Sequence, residues 1–327
     1  YEPQELFTAY NKTVKQHIIP KQDIESNIHI LDCTKLRVNL KNENYEGSGV
    51  FRDEEGTSRG YKLSTIRGIV GDSGIIEEIA FGPINVHDLT LSREMLLNTP
   101  VLKPGDILIN DRGFLSRELI NHLKRRRDVD TYIPLRKNME ACTIAIQVAK
   151  ENNEWTRHPS RDYQQIALVP HMENYWRCNE DDVPLNACVV HGDDYYAVTV
   201  TTDTSKTAAD IIKTYELRPE IEEDYRQLKD FWKLEDFKST KLNTIAFHIV
   251  CVLLGYLFFQ LYTFMPEGES LAGKSFPVLL KTYKSIAHPM VVVYVGEIYG
   301  VLSLVELMDL YADVSEEIRR IIAHTLK

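Results

Sequence analysis

One run constrains this chain more than any other. Residues 245–265 (IAFHIVCVLLGYLFFQLYTFM) hold no Asp, Glu, Lys or Arg over 21 positions, which is long enough to span a bilayer. His248, Tyr256, Gln260 and Tyr262 recur through it, however, and charged, polar segments flank it. A helix that is apolar nearly all round is also the buried centre of a large soluble core. We adopt that reading, and no membrane partner is expected. It requires enough other chain to surround the helix. With 327 residues, 43% hydrophobic and 26% charged, the balance is that of an ordinary globular protein. The length allows about two domains, or one large core with an insertion.

The pattern along the chain mixes strand and helix. Residues 27–40 (NIHILDCTKLRVNL) predict a strand carrying Asp32. Residues 46–60, rich in Gly and charge, predict a loop without regular structure. Two more strands, 61–70 and 75–81, flank the turn Gly71-Asp72-Ser73-Gly74 and complete an antiparallel meander. Residues 89–97 predict a helix, and 106–110 (DILIN) a short strand with Asp111 just past its end. Residues 116–127 predict an amphipathic helix capped by Ser116, with Leu119, Ile120 and Leu123 on one side. From 130 to about 201 the signal turns to β, with runs at 132–135, 143–148, 165–169, 187–190 and 195–200. Helix returns from 204 to 264. The rest is mixed, ending in a helix capped by Ser315 that carries Ile318, Ile321, Ile322 and Leu326. The middle third therefore looks like a β insertion between two halves of an α/β unit.

Charge and cysteine narrow the class. Lys and Arg number 38 against 48 Asp and Glu, a net charge of −10, so the surface as a whole does not advertise nucleic acid binding. The five cysteines (Cys33, Cys142, Cys178, Cys188, Cys251) form no Cys-x-x-Cys pair. That argues against a zinc knuckle and a disulfide framework, and for a reducing compartment. The chain opens at Tyr1, which reads as a fragment or processed product, and residues 1–22 hold no apolar secretory segment.

Two acids occupy the same kind of place. Asp32 follows IHIL and Asp111 follows ILIN. A carboxylate at the end of a buried strand is held rigidly and opens into a cleft, where function collects; such an Asp also simply caps turns. A third element is stronger. In YELRPEIEEDYRQLK, Tyr215, Arg218, Glu222 and Lys229 stand at offsets 0, 3, 7 and 14. At ~100° per residue they fall at roughly 0°, 300°, 340° and 320°, one narrow helical stripe. Ring, guanidinium, carboxylate and ammonium are thus presented together, although a solvated face carries such charges too. Pro219 fits best in a first helical turn, so the helix is expected to begin near Arg218, with Tyr215 ahead of it.

The spacing Tyr215-x2-Arg218-x3-Glu222-x6-Lys229 resembles the signature of DDE transposases of bacterial insertion sequences, in the insertion sequence 4 branch. Asp32 in LDCTKL and Asp111 in NDRGF resemble that branch's first and second Asp motifs. Asn85-Val86-His87-Asp88 resembles its Asn-x-His-Asp segment, and Gly60-Tyr61-Lys62 its early Gly-Tyr-Lys. The resemblance runs from about residue 28 to 264. Two features depart from the pattern: Pro219 stands where many members carry an aromatic residue, and the net charge is acidic.

The resemblance implies an α/β fold: an RNase H-like catalytic core with a β-rich insertion between the second Asp and the Glu, and a helical C-terminal part. The implied division is 1–26 as a remnant of an N-terminal region, 27–130 as the first half of the core and 131–201 as the insertion. Residues 202–265 form the second half with the Glu helix, and 266–327 a C-terminal region. Asp32, Asp111 and Glu222 are the implied catalytic and metal-binding residues, for two Mg²⁺ ions or substituting Mn²⁺. Tyr215, Arg218, Lys229 and Lys62 are the implied contacts to double-stranded DNA at element ends and target, with Asn85, His87 and Asp88 supporting them; Arg126 is a further expected DNA contact, from charge rather than from the resemblance. Arg126 belongs to a basic cluster, 124–127, that also reads as an ordinary helix end. For Trp155 and Trp176, core packing and stacking on a flipped base both stand. A homodimer in a paired-end complex and a cytoplasmic location complete the expectation. The rival is a catalytically inactive, transposase-derived DNA-binding or assembly protein.

Overall fold

The computed structural model describes residues 26–262 apart from 55, 71, 72, 180 and 181, with Glu5, Phe7, Ala9, Val278 and two strands at 290–303. The expected last helix at Ser315 and nearly all of residues 1–26 lie outside the described residues. Two compact units divide the chain, Tyr1–Gly273 and Lys274–Lys327. In the second, the strands Met290–Val295 and Ile298–Ser303 pair antiparallel, from Met290↔Ser303 to Val295↔Ile298.

The first unit is a mixed α/β structure built on one 10-stranded sheet. At its centre lies β1 (Ile28–Val38), whose Ile30, Leu31 and Leu36 are fully buried. Residues of both parities are buried because both faces of the strand are covered. β1 pairs antiparallel with β3 (Gly56–Val70), and β3 pairs antiparallel with β4 (Ser73–Pro83). This is the expected meander. On its other side β1 pairs parallel with β5 (Ile107–Asn110), which pairs parallel with β6 (Asp130–Pro134). Parallel neighbours need a crossover, and α2 (Arg117–Arg127) supplies it after α1 (Asp88–Asn98). Ser116 caps α2 by accepting the Leu119 N–H, and Asp128, left-handed at φ 51°, ends it.

Beyond β6 the same sheet continues antiparallel through β10 (Tyr196–Thr201), β9 (Asn186–His191), β8 (Gln165–Val169) and β7 (Thr156–Arg157). Two local expectations fail here and at the opposite edge. Residues 143–148 are not a strand but the middle of α3 (Glu140–Asn152). Their β-branched residues suggested a strand, yet Ala141, Cys142, Ala145 and Ala149 recur at helical spacing and are the ones buried. Residues 46–60 are not irregular: β2 (Gly49–Asp53) pairs with the first residues of β3. An edge strand half exposed on both faces shows no apolar alternation to read.

Alternating strand residues divide between two hydrophobic clusters, one on each face. One gathers Leu31, Ile66, Leu108 and Val189 under α1, α2 and α3. The other gathers Ile30, Leu63, Ile166 and Val190 under α4 (Ala208–Tyr215), α5 (Pro219–Asp230) and α6 (Leu242–Tyr262). α6 carries residues 245–262 of the uncharged run. Its length and composition also suit a membrane span, but here Ile245, Ile249, Leu253, Leu257 and Leu261 form part of the core.

Candidate active site

The parallel ladder between β1 and β5 aligns Leu31 with Asn110, so the next residues, Asp32 and Asp111, stand side by side on adjacent strands. Asp32 is buried and accepts the Cys33 N–H at 2.8 Å. Asp111 follows Asn110, the last paired residue of β5, and precedes a 3₁₀ turn at Arg112–Phe114. Glu222 arrives on α5, which is fixed to the sheet by polar as well as apolar contacts. Ile221 and Leu228 are fully buried. The Tyr225 hydroxyl donates to the Asp32 carbonyl at 2.7 Å and bonds Thr65 Oγ1 at 2.8 Å. Asp224 accepts from Arg67 Nε and Tyr256 Oη, each at 2.7 Å. Glu222 is left on the outer side of this helix, at the rim.

Arg218, at the N-terminus of α5, joins the three acids. Its guanidinium lies 2.9 Å from Asp32 Oδ2, 2.5 Å from Glu222 Oε1 and 3.9 Å from Asp111 Oδ1. Burial pushes the Asp32 carboxyl up to about 6 against the pull of Arg218, with the charges of Asp111 and Glu222 adding to the rise. Burial works against the Arg218 charge, but Asp32 and Asp111 outweigh it and hold the guanidinium above its ordinary value. Tyr215, closing α4, is pushed up to about 12, chiefly by burial, and stays protonated.

A family model for the transposase DDE domain matches residues 27–258, most of the chain and all three acids. The chain belongs to the transposase DDE domain family. No curated protein matches it. The family's function is transposition, with metal-dependent cleavage of DNA in general.

In this transposase domain the donor set at the site is all carboxylate oxygen, which suits a hard cation such as Mg²⁺ or Mn²⁺. As placed, no three His, Cys, Asp or Glu side chains among the described residues stand close enough to hold one ion. The guanidinium stands between the acids.

The remaining expected residues divide by position. Tyr215, Arg218 and Glu222 share the rim, although the helix begins at Pro219 and Tyr215 belongs to the helix before it. Lys229 lies further along, donating to the Lys35 carbonyl at 2.7 Å, with burial pushing its ammonium down. Lys62 is buried, 2.6 Å from Asp88 Oδ1, and donates to the Val86 carbonyl. His87 caps α1 by accepting the Leu89 N–H, and the Asn85 amide packs on Gly49. Asp88 also abuts Gly113, where a Cβ would sit 2.8 Å from its Oδ2. Lys62 and Asp88 thus form a brace beside the turn that follows Asp111. A side chain at Gly60 would collide with the Leu36 carbonyl, 1.9 Å away, which accounts for glycine before Tyr61 and Lys62.

Arg126 is not brought to the carboxylates. In the same helix turn Lys124 pairs with Asp130, the first residue of β6, and Arg127 donates to the carbonyls of Leu96, Thr99 and Leu102. That is the end where β5 and β6 begin, opposite Asp111. Trp155 and Trp176 pack against the α1–α3 side core.

Three residues carried no sequence motif. A cleft of about 870 Å³ opens beside Asp111, Tyr215 and Arg218 and runs to His158, Ser160 and Arg161. Glu216 pins its far wall: its Oε2 accepts from Ser160 Oγ at 2.7 Å, and its Oε1 forms an ion pair with Arg161 at 2.8 Å. His158 is buried, with Nε2 3.7 Å from Glu216 Oε1. Glu216 lies inside the motif Tyr-Glu-Leu-Arg, but its partners come from a loop with no recognisable pattern.

Proposed function

We propose that this transposase domain is a catalytically competent member of the insertion sequence 4 branch. It cuts DNA at the ends of its element and joins the freed 3′-hydroxyl to target DNA by two-metal phosphoryl transfer, on an RNase H-like core. The observation that carries the reading is the meeting of Asp32, Asp111 and Glu222 on one guanidinium. A mixed sheet with one acid within β1 and another just past the end of its parallel neighbour β5, and a third on a helix tied to β1, supports the same view.

Asp32, Asp111 and Glu222 would hold the ions. Bound Mg²⁺ stabilises the attacking and leaving oxygens of an in-line displacement. The protein's own share is placement. Tyr225 fixes the backbone of Asp32, and the brace at Lys62 and Asp88 fixes the turn after Asp111. Arg218 offers a fork to phosphate oxygens, Lys229 a point charge and Tyr215 a phenol. These contacts position the backbone and carry little sequence choice. The cleft beside Arg218 accommodates the strand leaving the site. A homodimer pairing two ends in the cytoplasm completes the proposal.

The test is cleavage of duplex DNA carrying the element's own ends, with Mg²⁺ or Mn²⁺. Asp111→Ala should abolish it, and persistent cutting by that variant refutes the assignment. The rival reading, an inactive transposase-derived DNA-binding or assembly protein, draws on the absence of a ready-made trio of ligands among the described residues. No Mn²⁺ binding at millimolar concentration would favour it.

A further inference from the structure

Crowded carboxylates repel one another. Something must hold the three acids together before any metal arrives, and Arg218 is placed to do so. Its two terminal nitrogens reach Asp32 at 2.9 Å and Glu222 at 2.5 Å, while Nε stands 3.9 Å from Asp111. The rigid, forked guanidinium spans partners that one compact ammonium would not. Its backbone is anchored apart from the acids, by the Arg218 N–H to Tyr215 carbonyl bond at 3.0 Å and by Pro219 at the start of α5.

Two features mark the pairing as one that is given up. Nε is buried without a hydrogen-bond partner, so the site does not satisfy the side chain completely. The cleft of about 870 Å³ opens directly beside Arg218 and offers the guanidinium another position. We propose that Arg218 is the resident counter-cation of the carboxylate triad: it keeps Asp32, Asp111 and Glu222 assembled while no metal is bound, and yields that place when divalent ions enter. Its freed fork then turns to the DNA backbone. In the first state Arg218 is a positioning residue, acting through the acids. This inference rests on the reading of the triad as a metal site.

The test titrates Mn²⁺, without DNA, into the full chain and into Arg218→Gln, Arg112→Gln and Asp32→Asn, by calorimetry or electron paramagnetic resonance. Arg218→Gln should bind Mn²⁺ about tenfold more tightly than wild type, because the ion no longer displaces hydrogen bonds between charged groups. Arg112→Gln removes a neighbouring positive charge outside the bridge and should gain far less; Asp32→Asn should lose binding. Without metal, Arg218→Gln should melt below wild type, and Mn²⁺ should restore more of its stability. Equal or weaker affinity in Arg218→Gln, or the same gain in Arg112→Gln, overturns the inference and leaves the metal site standing. No binding in any variant overturns both. Should Arg218→Gln not fold, nuclear magnetic resonance of ¹⁵N-arginine wild type decides, with Arg218→Lys used for assignment. The Arg218 Nε–Hε signal should move as Mg²⁺ is added, and a signal unmoved at saturation overturns the proposal.

Discussion

The Tyr225 hydroxyl donates to the backbone carbonyl of Asp32 at 2.7 Å across 193 residues of sequence. One bond thus ties the helix that carries Glu222 to the strand that carries the first acid. The same hydroxyl meets Thr65 on β3, so the helix is registered against two strands at once.

Tyr225→Phe should lower stability by about 1–3 kcal/mol, the cost of leaving a buried polar group unsatisfied. Urea denaturation measures this. Cleavage should fall with it, because Glu222 loses its register against Asp32.

Arg67 makes a buried ion pair with Asp224 at 2.7 Å and a second pair with Glu220 at 2.7 Å. Arg67→Met should destabilise by about 3–5 kcal/mol, since it leaves Asp224 buried without its cation. Asp224→Asn in the Arg67→Met background should recover part of the loss. Chemical denaturation of the single and double variants checks both.

Near the start of β1, His29 is buried between Glu77 at 2.7 Å and Asp106 at 3.1 Å. Burial alone would push its pKa down, but hydrogen bonds and charges from the two acids outweigh it and raise the value to about 9, from 6.5. The folded protein therefore keeps its proton where the unfolded chain has lost it. This contribution to stability is full below about pH 6.5 and fades as pH rises through about 9. The melting temperature of wild type should fall across that window, and His29→Gln should flatten the fall.

Arg126→Gln should leave cleavage and DNA affinity within about twofold of wild type, as for a surface change away from a site. Arg126 stands at the end of the sheet opposite Asp111, beside Lys124 and Arg127, which are both held by internal partners. A kinetic assay and a binding isotherm check this.

Glu216→Ala should release Ser160 and Arg161 from the α4–α5 junction. Because Arg161 is largely exposed, the stability loss should stay near about 0–1 kcal/mol. DNA affinity should fall further than stability, through loss of the cleft's fixed wall. Electrophoretic shift assays beside a melting curve separate the two.

Much of this was legible in the residues themselves. The strands at Asp32 and Asp111, the helix capped by Ser116 and the start of the Glu222 helix at Pro219 all follow from local patterns: apolar runs, a cap and a missing amide hydrogen. The uncharged run 245–265 was legible as a helix, and burial of its Ile245–Leu261 side placed it in the core. The helix at 140–152 was not legible, because the β-branched residues crowded into 143–148 mask the small ones that set its buried face. Neither was β2, a polar edge strand defined only by its partner.

Sequence alone determined the kinds of group at the site and their spacing along single elements, since backbone periodicity acts over a few residues. Tertiary structure decided the rest. The ladder between β1 and β5 set Asp32 beside Asp111, and docking of α5 through Tyr225 and Asp224 brought Arg218 into contact with all three acids. It also sent Arg126 to the far end of the sheet and spent Lys62 on Asp88. Such outcomes depend on which surfaces bury against each other between elements distant in sequence, and side-chain charge gives no sign of that until the chain has folded.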